Sequence, residues 1–340
     1  MVREKKLVEA IDVHAHFFNE KVAYATRKHS GSVPQLIRDS AGSEFLSVRG
    51  RPLTPISEKY GHIYNLEKRI RDMDGSGIGI QAISVPPAYM SGFDDVVVAE
   101  VSRILNDGIA EAVNTYPSRF VGLATVPIQC PKAAVEELER VMKQLGMKGV
   151  QIGTSVITKN LDDSELGPFY ERAEELNCFI LVHPTNVQGA ERMPNYHLSN
   201  LIGNPSATSL AIASLIFGGV LEKFPRLIFC FAHAGGFIPY QIGRLDHGYQ
   251  VRPECRAKIS KPPSEYFKLL HFDTITHHEP ALTYLIKSVG SDHVLLGSDY
   301  PYDMADFDPV SSVRGLETIS SRDKKRVLWE NAAKLLNIET

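Results

Sequence analysis

Residues 11–16 read IDVHAH, an apolar run carrying one acid and two histidines. Side chains two apart on a strand share a face. As a strand, this stretch therefore sets His14 and His16 side by side. Apolar, β-branched runs of the same kind recur along the chain: GIGIQAISV (77–85), RFVGLATVP (119–127), MKGVQIG (147–153), CFILVH (178–183), LIFCFAH (227–233), KLLHFDT (268–274) and HVLLGSD (293–299). Near-continuous apolar strands are what a parallel sheet buried on both faces requires.

Stretches with helical spacing of apolar residues lie between these runs. LEKRIRDMDGSG (66–77) ends on glycine, residues 94–116 carry a long periodic pattern, and PKAAVEELERVMKQL (131–145) opens on proline at a first helical position. Residues 162–176, 206–224 and 279–289 follow the same logic. Strand and helix in alternation predict an α/β fold, a (β/α)8 TIM barrel, over an open doubly wound sheet. No GxGxxG follows the first strand, which disfavours a dinucleotide fold. The expected organisation is one barrel domain over 1–340. Its rhythm breaks at about 17–64, a polar stretch with Gly31, Pro34, Gly42, Gly50, Pro52 and Pro55. That is too long for a simple βα loop, and reads as an insertion after strand one or a small lid over the barrel mouth. Irregular stretches are also expected at 185–204 and 252–263.

A net charge of -3 gives no basic face for nucleic acid or an anionic membrane. No apolar run reaches membrane-span length, and the first residues lack a signal-peptide core. A cytoplasmic location is expected. Cys130, Cys178, Cys230 and Cys255 form no close pair, so neither a disulfide framework nor a zinc knuckle is expected.

The chemistry concentrates at strand ends. His14 and His16 sit in the first run, His183 ends the fifth, His233 the sixth and Asp299 the eighth. Barrel active sites are assembled at the C-terminal ends of different strands. Burying five such groups unpaired would cost several kcal/mol, so packing alone does not explain them. Three histidines and a carboxylate make a nitrogen-rich oxygen-containing set for one divalent metal, with a position left for water or substrate. Zn2+ is the first expectation, and Mn2+, Fe2+ or Co2+ also suit the donors. His233 reads as either a fifth ligand or a histidine that moves a proton.

IDVHAHFF, LVHP, FAHAGG and LLGSDYP resemble the signatures of the amidohydrolase superfamily, and more narrowly its decarboxylase branch, the aminocarboxymuconate-semialdehyde decarboxylases. GRPLTP, GVQIGT, GAERM, IGRLDHGY and KPPSEYF extend the likeness over almost the whole chain. The resemblance implies a mononuclear metal held by His14, His16, His183 and Asp299, with His233 as a catalytic acid/base and Asp299 also orienting water. A dinuclear member would need a bridging lysine at the end of strand four, whereas Lys148 lies at its beginning. The resemblance further implies that Arg51 and Arg244 bind a substrate carboxylate. Arg244 would reach into the neighbouring subunit, which implies a homodimer. The implied activity is metal-dependent non-oxidative decarboxylation of a small unsaturated or aromatic carboxylic acid. The alternative is a hydrolase or hydratase acting on a lactone, amide or unsaturated acid. The chain departs from the pattern at Thr185 and Asn186, where Trp-Asp is usual, and in PNYHLSN, which lacks the usual tryptophan. The loop after the last strand, with Asp303, Asp306 and Asp308, is expected to line the substrate side.

Overall fold

All eight apolar runs are strands in the computed structural model, which describes residues 10–19, 35–38, 44–48, 51–56, 63–86, 95–185 and 187–339. For 35–38, 44–48, 51–56 and Val96 the description is of the backbone. The barrel strands are β1 (Ala10–His16), β2 (Ile78–Ser84), β3 (Phe120–Thr125), β4 (Gly149–Gly153), β5 (Phe179–His183), β6 (Ile228–Phe231), β7 (His271–Asp273) and β8 (Val294–Leu295). They lie in chain order in one sheet, every pair parallel. The first and last strands meet: Val13 N donates to Leu296 O at 2.9 Å, and His16 N to Tyr300 O at 2.7 Å. These bonds close the sheet into the expected barrel.

Helices follow the predicted periodicity. They are α1 (Leu66–Ser76), α2 (Asp95–Thr115), α3 (Pro131–Lys143), α4 (Gly167–Glu175), α5 (Asn204–Phe217), α6 (Ile238–Val251) and α7 (Glu279–Val289). In α2 the buried residues Val98, Val101, Leu105, Ile109 and Ala112 recur at three- and four-residue intervals, one stripe against the sheet. Helix α1 starts where Asn65 accepts from Lys68 N, and ends where Gly77 takes φ +80°. Helix α6 was not anticipated. Its apolar residues Ile242, Leu245 and Tyr249 are only half-buried and are interrupted by Gly243 and Gly248, so the stripe is weak in sequence.

Two apolar clusters flank the strands. The larger packs helices on the outside. The smaller joins Ile11, Val13, Leu123, Leu181, Cys230 and Leu295 with Ala332 and Leu336 of the C-terminal segment, filling the barrel and capping its lower end. Between β1 and α1 the backbone forms a three-stranded antiparallel sheet of 35–38, 44–48 and 51–56. The expected lid falls largely outside the described residues, as does Asn186. Among the described residues no helix is long and apolar enough to cross a membrane. All four cysteines are free thiols, with Cys178 and Cys230 buried.

Candidate metal centre

One irregularity in β1 aims the site. Asp12 pairs with Gln81 but Ala15 with Ile83, so β1 advances three residues against two on β2. Such a bulge changes which face the following side chains take. Asp12 faces away from the cluster, where its carboxylate accepts from Gln81 Nε2 at 2.7 Å and Ser298 Oγ at 2.6 Å. His14 and His16 turn the other way, both fully buried. Arg69 of α1, also fully buried, holds this ledge: its guanidinium donates to the His16 carbonyl and, at 2.7 Å, to Gln81 Oε1.

Four of the expected residues converge. Among the described residues, His14, His16, His183 and Asp299 each offer a donor atom, all within 4.8 Å of one another. His14 Nε2 and His16 Nε2 lie 3.2 Å apart, and Asp299 Oδ1 lies 2.9 Å from His16 Nε2 and 3.3 Å from His14 Nε2. His183 Nε2 stands 3.9 Å from the same oxygen. Two nitrogens on one cation, at metal–nitrogen distances of about 2.0–2.1 Å, are separated by roughly 3 Å, so the spacing fits a shared ion.

The ring orientations fit as well. His14 Nδ1 donates to Asp273 Oδ2 at 2.7 Å and His183 Nδ1 to the Pro184 carbonyl at 3.1 Å, which turns each Nε2 toward the cluster. His183 Nε2 and Asp299 Oδ1 are buried without a hydrogen-bond partner. Orphaned donors of this kind are what a cation satisfies.

Charge is distributed unevenly. Burial opposes protonation of His14, but the carboxylates of Asp299 and Asp273 outweigh it and lift its pKa to about 10. Burial dominates at His16 and His183, pushing them down to about 4 and about 3. Burial would raise Asp299, yet His14 and the neighbouring imidazoles hold it well below the usual carboxylate range.

His233 stands beside the cluster. It lies just past β6, in a short 3-10 turn, with φ +54°. Its Nε2 is 3.4 Å from Asp299 Oδ2, and its Nδ1 is buried without a hydrogen-bond partner. His233 and Asp299 form one wall of a cavity of about 600 Å³. Leu201, Phe237, Tyr240, Tyr284 and Met304 supply much of the remainder, with His277.

Arg244 is exposed on α6 and does not line this cavity, and the Arg51 side chain lies outside the described residues. Lys148 sits at the opposite end of the barrel, donating to the Asn337 carbonyl at 3.1 Å. The loop after β8 differs from expectation. Asp306 accepts from Ser312 Oγ and Asp308 caps the helix that begins at Pro309, so these acids build the loop, and it is Met304 that reaches the cavity. Sequence reasoning missed Asp273, Arg69 and Tyr302, whose ring centroid is 5.1 Å from that of His16. Asp273 had a signal: it too is a polar residue at a strand C-terminus.

Known proteins resemble this chain in sequence and fold. The chain is 34% identical to a 2-amino-3-carboxymuconate-6-semialdehyde decarboxylase of Dictyostelium discoideum, over 97% of this chain and 92% of the relative. The structure of a 5-carboxyvanillate decarboxylase from Sphingomonas paucimobilis superposes with a TM-score of 0.83 at 28% identity, covering 98% of this chain and 100% of that one. A dihydroxybenzoic acid decarboxylase from Polaromonas, solved with bound manganese and the inhibitor 2-nitroresorcinol, gives a TM-score of 0.78 at 24% identity, with 98% of each chain covered. A family model described as amidohydrolase matches residues 11–338, and the chain belongs to that family.

Proposed function

We propose that the chain is a metal-dependent non-oxidative decarboxylase, a carboxy-lyase acting on a small unsaturated or aromatic carboxylic acid. The observation that carries the reading is the pairing of a four-donor cluster with a separate histidine, His233, which lines one largely apolar cavity together with Asp299 of the cluster. His14, His16, His183 and Asp299 would hold one divalent cation, which would supply Lewis acidity. His233 is placed to carry a proton to the carbon from which CO2 departs, so that the C–C bond breaks and a C–H bond replaces it. Asp299, within 3.4 Å of His233 Nε2, orients that proton donor. The apolar walls exclude water and favour a planar substrate body. Arg51, together with Arg244 reaching in from the neighbouring subunit, binds the carboxylate, the guanidinium fork matching its two oxygens.

Zn2+ suits the three imidazoles, while the manganese in the Polaromonas relative makes Mn2+ the other ion to test. The working unit is a homodimer: Phe237, Tyr240 and Tyr284 are exposed around the cavity, and Arg244 is exposed on the same helix as Tyr240. Four free thiols fit a cytoplasmic location. A single barrel domain, with the stretch 17–64 as its insertion, completes the reading.

The test is CO2 release by Zn2+- or Mn2+-loaded protein from a panel of aminocarboxymuconate semialdehyde and hydroxybenzoates. Turnover with CO2 supports the reading. Stoichiometric metal with no CO2 from any substrate sinks it in favour of hydrolysis or hydration.

A further inference from the structure

Asp273, the last residue of β7, is fully buried and accepts four hydrogen bonds. Its Oδ2 takes the His14 ring N–H at 2.7 Å and the His233 backbone N–H at 3.0 Å. Its Oδ1 takes the backbone N–H of Ala234 at 2.8 Å and of Ile275 at 3.1 Å. His233 and Ala234 both have left-handed backbones, φ +54° and +55°. Such residues cost about 1–3 kcal/mol each and persist only where their surroundings fix them. Here the amide hydrogens of both converge on one carboxylate. Space for that carboxylate depends on Gly297, where a Cβ would lie 2.8 Å from Asp273 Cβ and 3.1 Å from His14 Cβ.

We propose that Asp273 is the positioning residue that couples metal binding to proton transfer: a single carboxylate fixes the ring of His14 and the turn that carries His233. This rests on the roles given above to the cluster and to His233. An acceptor-only group is required on both oxygens, because every partner is a donor. In Asp273→Asn one oxygen becomes an NH2. Facing His14, it obliges Nδ1 to accept and moves the ring proton to Nε2, the nitrogen aimed at the cluster. Facing Ala234 and Ile275, it opposes two N–H groups and loosens the His233 turn. No rotamer satisfies all four partners.

The experiment has two arms. Co2+ is titrated into the metal-free parent and Asp273→Asn, followed by visible absorption. Second, 15N-histidine NMR is recorded on both Zn2+-loaded proteins. The variant is expected to bind Co2+ 10–100-fold more weakly. In the parent, His14 Nδ1–H is expected downfield and slow to exchange. In the Zn2+-saturated variant that signal is lost and the His233 ring resonances move. Co2+ affinity within twofold of the parent, or His233 resonances unmoved at saturation, overturns the proposal. Should Asp273→Asn not fold, the parent spectrum decides, since a fast-exchanging His14 Nδ1–H without a downfield shift overturns it alone. Neither arm reads turnover. A parent that binds metal but releases no CO2 therefore sinks the functional reading and leaves this inference standing or falling on its own data.

Discussion

His14 Nε2 and His16 Nε2 stand 3.2 Å apart, and Asp299 Oδ1 bridges both within 3.3 Å. The pair is one half of the proposed cation site. Replacing His16 with Ala removes one donor but no backbone support, since its carbonyl still accepts from Arg69. The variant is expected to fold, and to retain less than about a tenth of the parent's metal after dialysis, read by elemental analysis. Metal binding stabilises the native state by RT ln(1 + [L]/Kd), about 2.7 kcal/mol at a hundredfold excess over Kd. Chelation should therefore lower the parent's Tm and barely move that of His16→Ala. Full metal occupancy in His16→Ala would rule the ligand assignment out.

His233 differs from the proposed ligands in directing Nε2 at Asp299 Oδ2, where theirs face Oδ1. His233→Ala is expected to lower kcat by about 10²–10⁴-fold while one metal per chain is kept. Loss of stoichiometric metal in this variant would make His233 a fifth ligand.

Arg69 sits fully buried between Gln81, the His16 carbonyl and the Tyr300 ring, whose centroid is 4.7 Å from its guanidinium carbon. Burial pulls its pKa down to about 10, still charged at neutral pH. Arg69→Met strands two buried acceptors at about 1–3 kcal/mol each. A loss of about 2–5 kcal/mol in urea unfolding is expected. A change under about 0.5 kcal/mol, the range of ordinary surface substitutions, would show that the ledge under His16 has another support.

His271 and His293 stack with centroids 5.1 Å apart, away from the metal cluster. Burial, reinforced by His293, depresses the His271 pKa from 6.5 to about 4. The fold therefore favours the neutral ring. This stabilisation is complete above pH 6.5 and is lost as pH falls toward 4, because the unfolded chain takes up the proton first. His271→Phe should reduce the drop in unfolding free energy between pH 7 and 5, compared with the parent in the same buffers. An unchanged slope would mean that the imidazole is already hydrated in the native state.

Much of this was legible because parallel barrel strands are buried on both faces, so their apolar runs stand out without alternation. EPALTYLIKSV became a helix over the same residues, Glu279–Val289. The strand-end polar residues His14, His16, His183 and Asp299 were legible for the same reason, as exceptions in apolar surroundings. What stayed hidden depends on local geometry. The bulge that turns His14 and His16 away from Asp12 leaves no mark in IDVHAH, because a regular strand would place all three on one face. Asp299 also lies four residues beyond the two-residue β8, at φ +61°, where the chain follows β1 without regular pairing. Asp273 was read only as part of a strand, since its value comes from four donors on three segments. Helix α6 escaped because its buried stripe is thin.

The closure of the barrel has a consequence for biosynthesis. His14 leaves the ribosome well before Asp299, and the seam where Asp299 N donates to the His14 carbonyl at 2.8 Å joins the two. A nascent chain stopped before β8 holds three imidazoles and no carboxylate at the ion's position. The complete four-donor set thus waits for the last strand, so that premature termination before it yields a chain without the proposed centre.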